Sequence, residues 1–69
     1  MDSSSDKKAL GEKLRAAREK LGLTQAQVAE KAGIHVNYYA RIERGEPTAR
    51  WNVISNIAKA LNLKLNLPL

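Results

Sequence analysis

A chain of 69 residues makes one small domain with no room for a second, and at that size stability rests on close helix packing or on association of subunits. The absence of cysteine excludes disulfides and thiolate metal sites, and the single histidine, His35, offers no cluster of nitrogen ligands, so neither a metal nor another cofactor is expected. Twelve Lys and Arg against seven Asp and Glu give a net charge of +5, which favours a polyanionic partner, nucleic acid before an anionic membrane surface.

The first six residues, MDSSSD, are polar and acidic and read as a disordered leader, with Ser5 or Asp6 available to cap a helix. They hold no signal-peptide core, and no apolar run approaches the roughly 20 residues of a membrane helix, so a cytoplasmic protein is expected. From Lys7 to Leu21 the pattern is helical, with Leu10, Leu14, Ala17 and Leu21 on one stripe, and Gly22 ends the helix as a left-handed cap. Thr24, with Gln27 three residues on, makes a capping box for a second helix over 25–32. A third helix over 36–44 stops at Gly45. Glu46, Pro47 and Thr48 then read as a turn in which Thr48 caps a fourth helix over 49–61, with Val53, Ile54, Ile57, Ala60 and Leu61 on one side. Four short helices on one core predict a compact all-α domain over residues 7–61.

The remaining residues break the helical period. Leucines at 61, 63, 65 and 67 alternate with Asn62, Lys64 and Asn66, so they share one face of a strand but would scatter around a helix; Pro68 ends the run. A lone strand cannot satisfy its backbone groups. Residues 62–69 are therefore expected to pair with the same segment of a second subunit, as a short antiparallel β-sheet across a dimer axis, with Leu63, Leu65 and Leu67 turned onto the helices. The alternative is a frayed or partly helical tail.

Residues 25–44, QAQVAEKAGIHVNYYARIER, meet several constraints together. Ala29 is small where one helix must cross closely over the next, and Gly33 supplies the positive φ of a tight turn. Val28, Ile34, Tyr39 and Ile42 are apolar at the positions that face inward. These are the demands of a helix-turn-helix whose second helix enters the major groove of DNA. The stretches LRAAREKLGLTQAQVAEKAGI, YYARIERGE and NIAKAL resemble the lambda-repressor/Cro-like (XRE) helix-turn-helix family, from Leu10 to Leu61 and over about three quarters of the chain. The resemblance implies a four- or five-helix DNA-binding domain of bacterial or phage type, usually dimeric, acting as a repressor or regulator. Many members continue into a fifth helix. Here NLKLNLPL stands in its place, which is similar to HipB-type antitoxins, where a C-terminal strand pairs between subunits. That likeness would add a kinase-like toxin as partner and autorepression of a toxin–antitoxin operon.

In such a domain the first turns of the third helix lie nearest the base edges, which makes Val36, Asn37, Tyr38 and Arg41 the candidate base contacts. Asn37 can pair with adenine, Arg41 with guanine O6 and N7, and Val36 can pack on a thymine methyl. Gln25, at the start of the second helix, is placed to meet a phosphate with its side chain and the helix dipole. His35, Arg44 and Arg50 are further candidates for the DNA backbone; Lys31 is a weaker one. By resemblance, Arg18 in the first helix pairs with Glu43 near the end of the third and orients it. A homodimer would read a palindromic operator with half-sites about one helical turn, or 10 bp, apart.

No catalytic residues are expected, because the chain holds no serine–histidine–carboxylate set and no phosphate-cradling glycine loop. A protein-interaction adaptor built on the same core is the alternative of a different class. Within the DNA-binding class, a controller of restriction–modification genes stands beside the antitoxin.

Overall fold

The computed structural model of the chain describes residues 3–46 and 50–63. They form four helices in the order α1 (Ser3–Lys20), α2 (Gln25–Ala32), α3 (Val36–Glu43) and α4 (Trp51–Ala60). α2 lies against both α3 and α4, and α1 lies against α3, so the third helix is braced from two sides. No helix among the described residues is long and apolar enough to cross a membrane.

α2 has its expected bounds because both of its ends are satisfied locally. Thr24 Oγ1 accepts from the Gln27 N–H at 3.1 Å, and Gln27 Oε1 accepts from the Thr24 N–H at 2.8 Å, the reciprocal pair of a capping box. At the other end Gly33 takes φ 74°, and the N–H groups of Gly33 and Ile34 return to the carbonyls of Glu30 and Ala29. An added Cβ at Gly33 would meet nothing within 4 Å. The demand for glycine there is conformational, since left-handed backbone costs an L side chain roughly 1–2 kcal/mol. The same closure follows the other three helices. Gly22, Gly45 and Asn62 also have positive φ, and the N–H groups of Leu23, Glu46 and Leu63 fold back to the carbonyls of Arg18, Arg41 and Ala58.

Several boundaries and exposures differ from expectation. The leader expected over residues 1–6 gives way at Ser3, where α1 already begins. Asp6 lies in the first turn of α1 instead of capping it, with its negative charge favourably placed toward the helix dipole. α4 starts at Trp51, with Arg50 as its N-cap and no side-chain cap; its first turn is closed by the Val53 and Ile54 N–H groups on the Arg50 carbonyl. Pro47 and Thr48, the expected turn and cap, lie outside the described residues. Leu21 is 46% exposed, because α1 has ended before it and Leu23, beyond the turn, packs on the core in its stead. No strand is present among the described residues. Leu63 is partly buried against the core of its own chain, while Leu65 and Leu67 lie outside the described residues.

At the centre sit four fully buried side chains, one from each helix: Leu14, Val28, Tyr39 and Ile57. Ala29, Ala32, Ile42 and Leu61 complete the cluster. Ala29, 2% exposed, is small where α2 meets its neighbours.

The approach of α1 to α3 depends on a residue that has no side chain. Gly11 is buried in the middle of α1, and a Cβ there would overlap the Glu43 carbonyl oxygen and lie 2.7 Å from that of Ile42. Both obstacles are backbone, so no rotamer change relieves them. Gly11→Ala would gain about 1 kcal/mol of helix propensity on an isolated helix. In this domain it is expected to destabilise by about 1–3 kcal/mol instead, as overpacking does. The melting temperature followed by circular dichroism should fall by several degrees; a rise would mean that α1 does not seat on α3 as described.

Candidate nucleic-acid interface

α3 has two opposed sides. Tyr39, Ile42 and Glu43 are buried, whereas Asn37, Arg41 and Arg44 are exposed and follow one another at helical spacing along a single stripe. The helix starts at His35, whose Nδ1 accepts the Asn37 N–H at 3.1 Å. With Nδ1 acting as acceptor, the neutral ring carries its proton on Nε2. The cap fixes the backbone at Asn37 and leaves that residue exposed. Val36 and Tyr38 are half-buried and pack on the core. Of the four residues expected at base edges, Asn37 and Arg41 are therefore the exposed ones.

The far end of α3 is tied down by Glu43, whose side chain is 4% exposed. Arg18 reaches it from α1 in a two-pronged pair, Nε to Oε2 at 2.7 Å and Nη2 to Oε1 at 3.2 Å. Arg18 Nη1 also donates to the Leu23 carbonyl at 3.0 Å, in the turn between α1 and α2. Gln25, the first residue of α2, donates its amide to Glu43 Oε1 at 3.1 Å. One carboxylate thus joins α1, α2 and α3. Burial by itself would raise the Glu43 pKa, but the hydrogen bonds from Arg18 and Gln25, and the nearby Tyr39 hydroxyl, hold it below the usual carboxylate value. The Tyr39 hydroxyl is buried beside this pair; it lies close enough to feel both charges, yet has no hydrogen bond of sound geometry. Burial, reinforced by Glu43, raises its pKa.

Gln25 is therefore a brace as well as a phosphate candidate. Of the first N–H groups of α2, that of Gln27 is taken by the Thr24 cap, while those of Gln25 and Ala26 lie ahead of the first intrahelical hydrogen bond and are suited to an anion. Arg15, Arg18 and Arg44 line one open groove together with Gln25, Ala40 and Glu43; Arg18 is engaged by Glu43, which leaves Arg15 and Arg44 as the exposed arginines beside that helix start. Arg50, exposed at the N-cap of α4, and Lys31, exposed in α2, are not part of this groove.

Two residues escaped the sequence reading. Gly11 carried a signal, a glycine inside a helical stripe, which marks close backbone approach when it is not a cap. Glu46 carried none. It accepts from Arg41 Nε on one oxygen and from Arg44 Nε on the other, each at 3.0 Å, and these donors lower its pKa.

Removing Glu43 would strand the Arg18 guanidinium in a site where it is 14% exposed. Glu43→Ala is expected to lower stability by about 3 kcal/mol, as the loss of one partner of a buried pair does. Glu30→Ala, at an exposed position of α2, should change it little. The pH dependence follows from the lowered Glu43 pKa. The pair contributes its stability above the ordinary carboxylate pKa of 4.5 and loses it as pH falls through the lower folded value. In thermal melts below pH 4.5 the wild type should lose stability more steeply than Glu43→Gln; parallel acid limbs would contradict the role given to this carboxylate.

The sequence of this domain matches known proteins over most of its length. The profile of a helix-turn-helix domain family covers residues 9–67. Control protein C.SmaI of Serratia marcescens is 38% identical over 56 residues, which are 81% of this chain and 67% of that protein. The immunity repressor protein of Bacillus phage phi105 is 33% identical over 57 residues, 83% of this chain and 40% of that protein, so the chain spans less than half the length of that relative. With its helices, cap and turn in the places described, the chain belongs to the helix-turn-helix domain family, among the lambda-repressor/Cro-like (XRE) regulators.

Proposed function

We propose that this protein is a sequence-specific transcriptional repressor that binds operator DNA as a homodimer, with α3 in the major groove. The observation that carries the proposal is the sidedness of α3: Asn37, Arg41 and Arg44 exposed on one stripe, and the opposite side anchored through Glu43. In this reading Asn37 pairs with adenine and Arg41 with guanine, while Val36 and Tyr38 contribute their exposed edges. Gln25, His35, Arg44 and Arg50 contact phosphates on either side and set the register without reading sequence. An adaptor that bound only protein would have no use for a cationic stripe beside an anion-ready helix start.

The second subunit is supplied by the tail, where Leu65 and Leu67 pair residues 64–69 across a dyad. The leucine alternation in the sequence, read as such a strand, supports the antitoxin reading, in which the protein represses its own operon and binds a toxin. The 38% identity to a protein named as a control protein favours a second reading, a gene controller without a toxin. Removal of residues 64–69 should convert a dimer to a monomer by light scattering; an unchanged mass would sink the tail as the dimer contact and weaken the antitoxin reading with it.

Selection from a randomised duplex pool, followed by titration of the winning sequence, tests the main proposal. A palindromic consensus with half-sites about 10 bp apart is expected. If each subunit neutralises about four phosphates, a fourfold rise in salt should weaken dimer binding on the order of 10⁴-fold. Arg44→Ala should weaken all duplexes alike and reduce the salt slope by about one per subunit. Recovery of no consensus, with salt-insensitive binding, would instead favour a protein-interaction module.

A further inference from the structure

We infer that Glu46 is a positioning residue for DNA reading, which aligns Arg41 and Arg44 at the end of the recognition helix and restrains their attraction for DNA of any sequence. The inference rests on the proposal that α3 enters the major groove.

Glu46 is not a loose surface residue that meets two arginines by chance. Gly45, at φ 84°, turns the chain back on α3, and the Glu46 N–H bonds the Arg41 carbonyl at 3.1 Å. The turn is held from outside too, because a Cβ at Gly45 would lie 2.8 Å from the Lys8 Cα of α1. The backbone of Glu46 is thus fixed at the last turn of the helix, and its two oxygens divide between the two arginines. Each contact uses the Nε of its arginine. The terminal Nη1 and Nη2 edge of Arg41 is not used by Glu46, and that edge presents the two parallel donors that match guanine O6 and N7. All three side chains remain well exposed, at 49% for Arg41, 62% for Arg44 and 39% for Glu46, so the assembly faces solvent where DNA would dock.

Two physical consequences follow. Holding a long side chain near its bound conformation reduces the ordering cost when it meets its base. One carboxylate between two guanidiniums also halves the local positive charge, from two to one, and so weakens contact with phosphates wherever the bases do not match. The pairing therefore favours discrimination over raw affinity. Exposed ion pairs contribute little to folding, so its removal leaves the domain intact.

The test compares wild type, Glu46→Gln and Glu30→Gln, which makes the same charge change at an exposed position of α2. Each is titrated on the selected consensus duplex, on variants at each base position and on a random-sequence duplex. For Glu46→Gln, binding to random duplex should tighten, with a salt slope steeper by about one per subunit. The ratio of consensus to random affinity should fall about tenfold, the discrimination of one well-formed bidentate contact. Preference should flatten at the position read by Arg41 and persist at that read by Asn37, with an unchanged melting temperature. An unchanged ratio, or an equal fall in Glu30→Gln, overturns the assignment and leaves the DNA-binding reading standing. A wild type that binds no duplex overturns both.

Discussion

The orientation of α3 depends on a single buried carboxylate. Glu43 lies at the last turn of α3 and receives donors from α1 and from the first residue of α2, while the same arginine also holds the carbonyl of Leu23 in the turn between those helices. Apolar contacts alone would let α3 slide or rotate by small amounts over Leu14 and Val28, because dispersion and burial are only weakly directional. A two-pronged guanidinium–carboxylate pair is directional in plane and distance. It therefore converts a packed helix into one with a defined rotation about its own axis, and that rotation decides which stripe faces outward. Loss of either charge would be felt in the fold before it was felt in binding.

Gly11 has the complementary part. The pair can form at 2.7 Å only if α1 comes close to the end of α3, and α1 does so by presenting a residue with no Cβ to the carbonyls of Ile42 and Glu43. A side chain at that point would hold the helices apart just where Arg18 must reach. The penalty of a glycine inside a helix is thus offset by a contact that no other residue permits. Gly33 is needed for the opposite reason, since the space around it is open and the backbone angle is the constraint.

These two glycines mark the boundary between what the sequence disclosed and what it withheld. The capping box at Thr24 and Gln27, the turn at Gly33 and the bounds of α2 were legible because each is decided within a few neighbouring residues. The Arg18–Glu43 pair was legible only through family resemblance, as its partners stand 25 positions apart. Gly11 against α3, and Glu46 between two arginines, follow from how whole helices meet and from a turn that reverses the chain. α1 starts earlier than its polar residues suggest, because serines and an aspartate suit a helical first turn as well as they suit a leader. Leu21 continues the apolar period of α1 in sequence but not in space, because the helix ends one residue before it.

The leucine alternation that closes the chain shows how one pattern can have two physical causes. Leu61 is buried at the C-cap of α4, Asn62 takes φ 56°, and Leu63 bonds back to the Ala58 carbonyl at 2.8 Å and packs on the core. This is the hydrophobic contact that accompanies a left-handed helix cap, in which the residue after the cap folds onto the last turn. Two leucines separated by one polar residue thus point the same way without any strand. The first half of the alternation belongs to the domain that carries it, and Leu63 packs, partly buried, against that domain's own core. Pairing across a dyad, as proposed, then falls to Leu65 and Leu67, while Leu63 ties the last of the described residues back to α4.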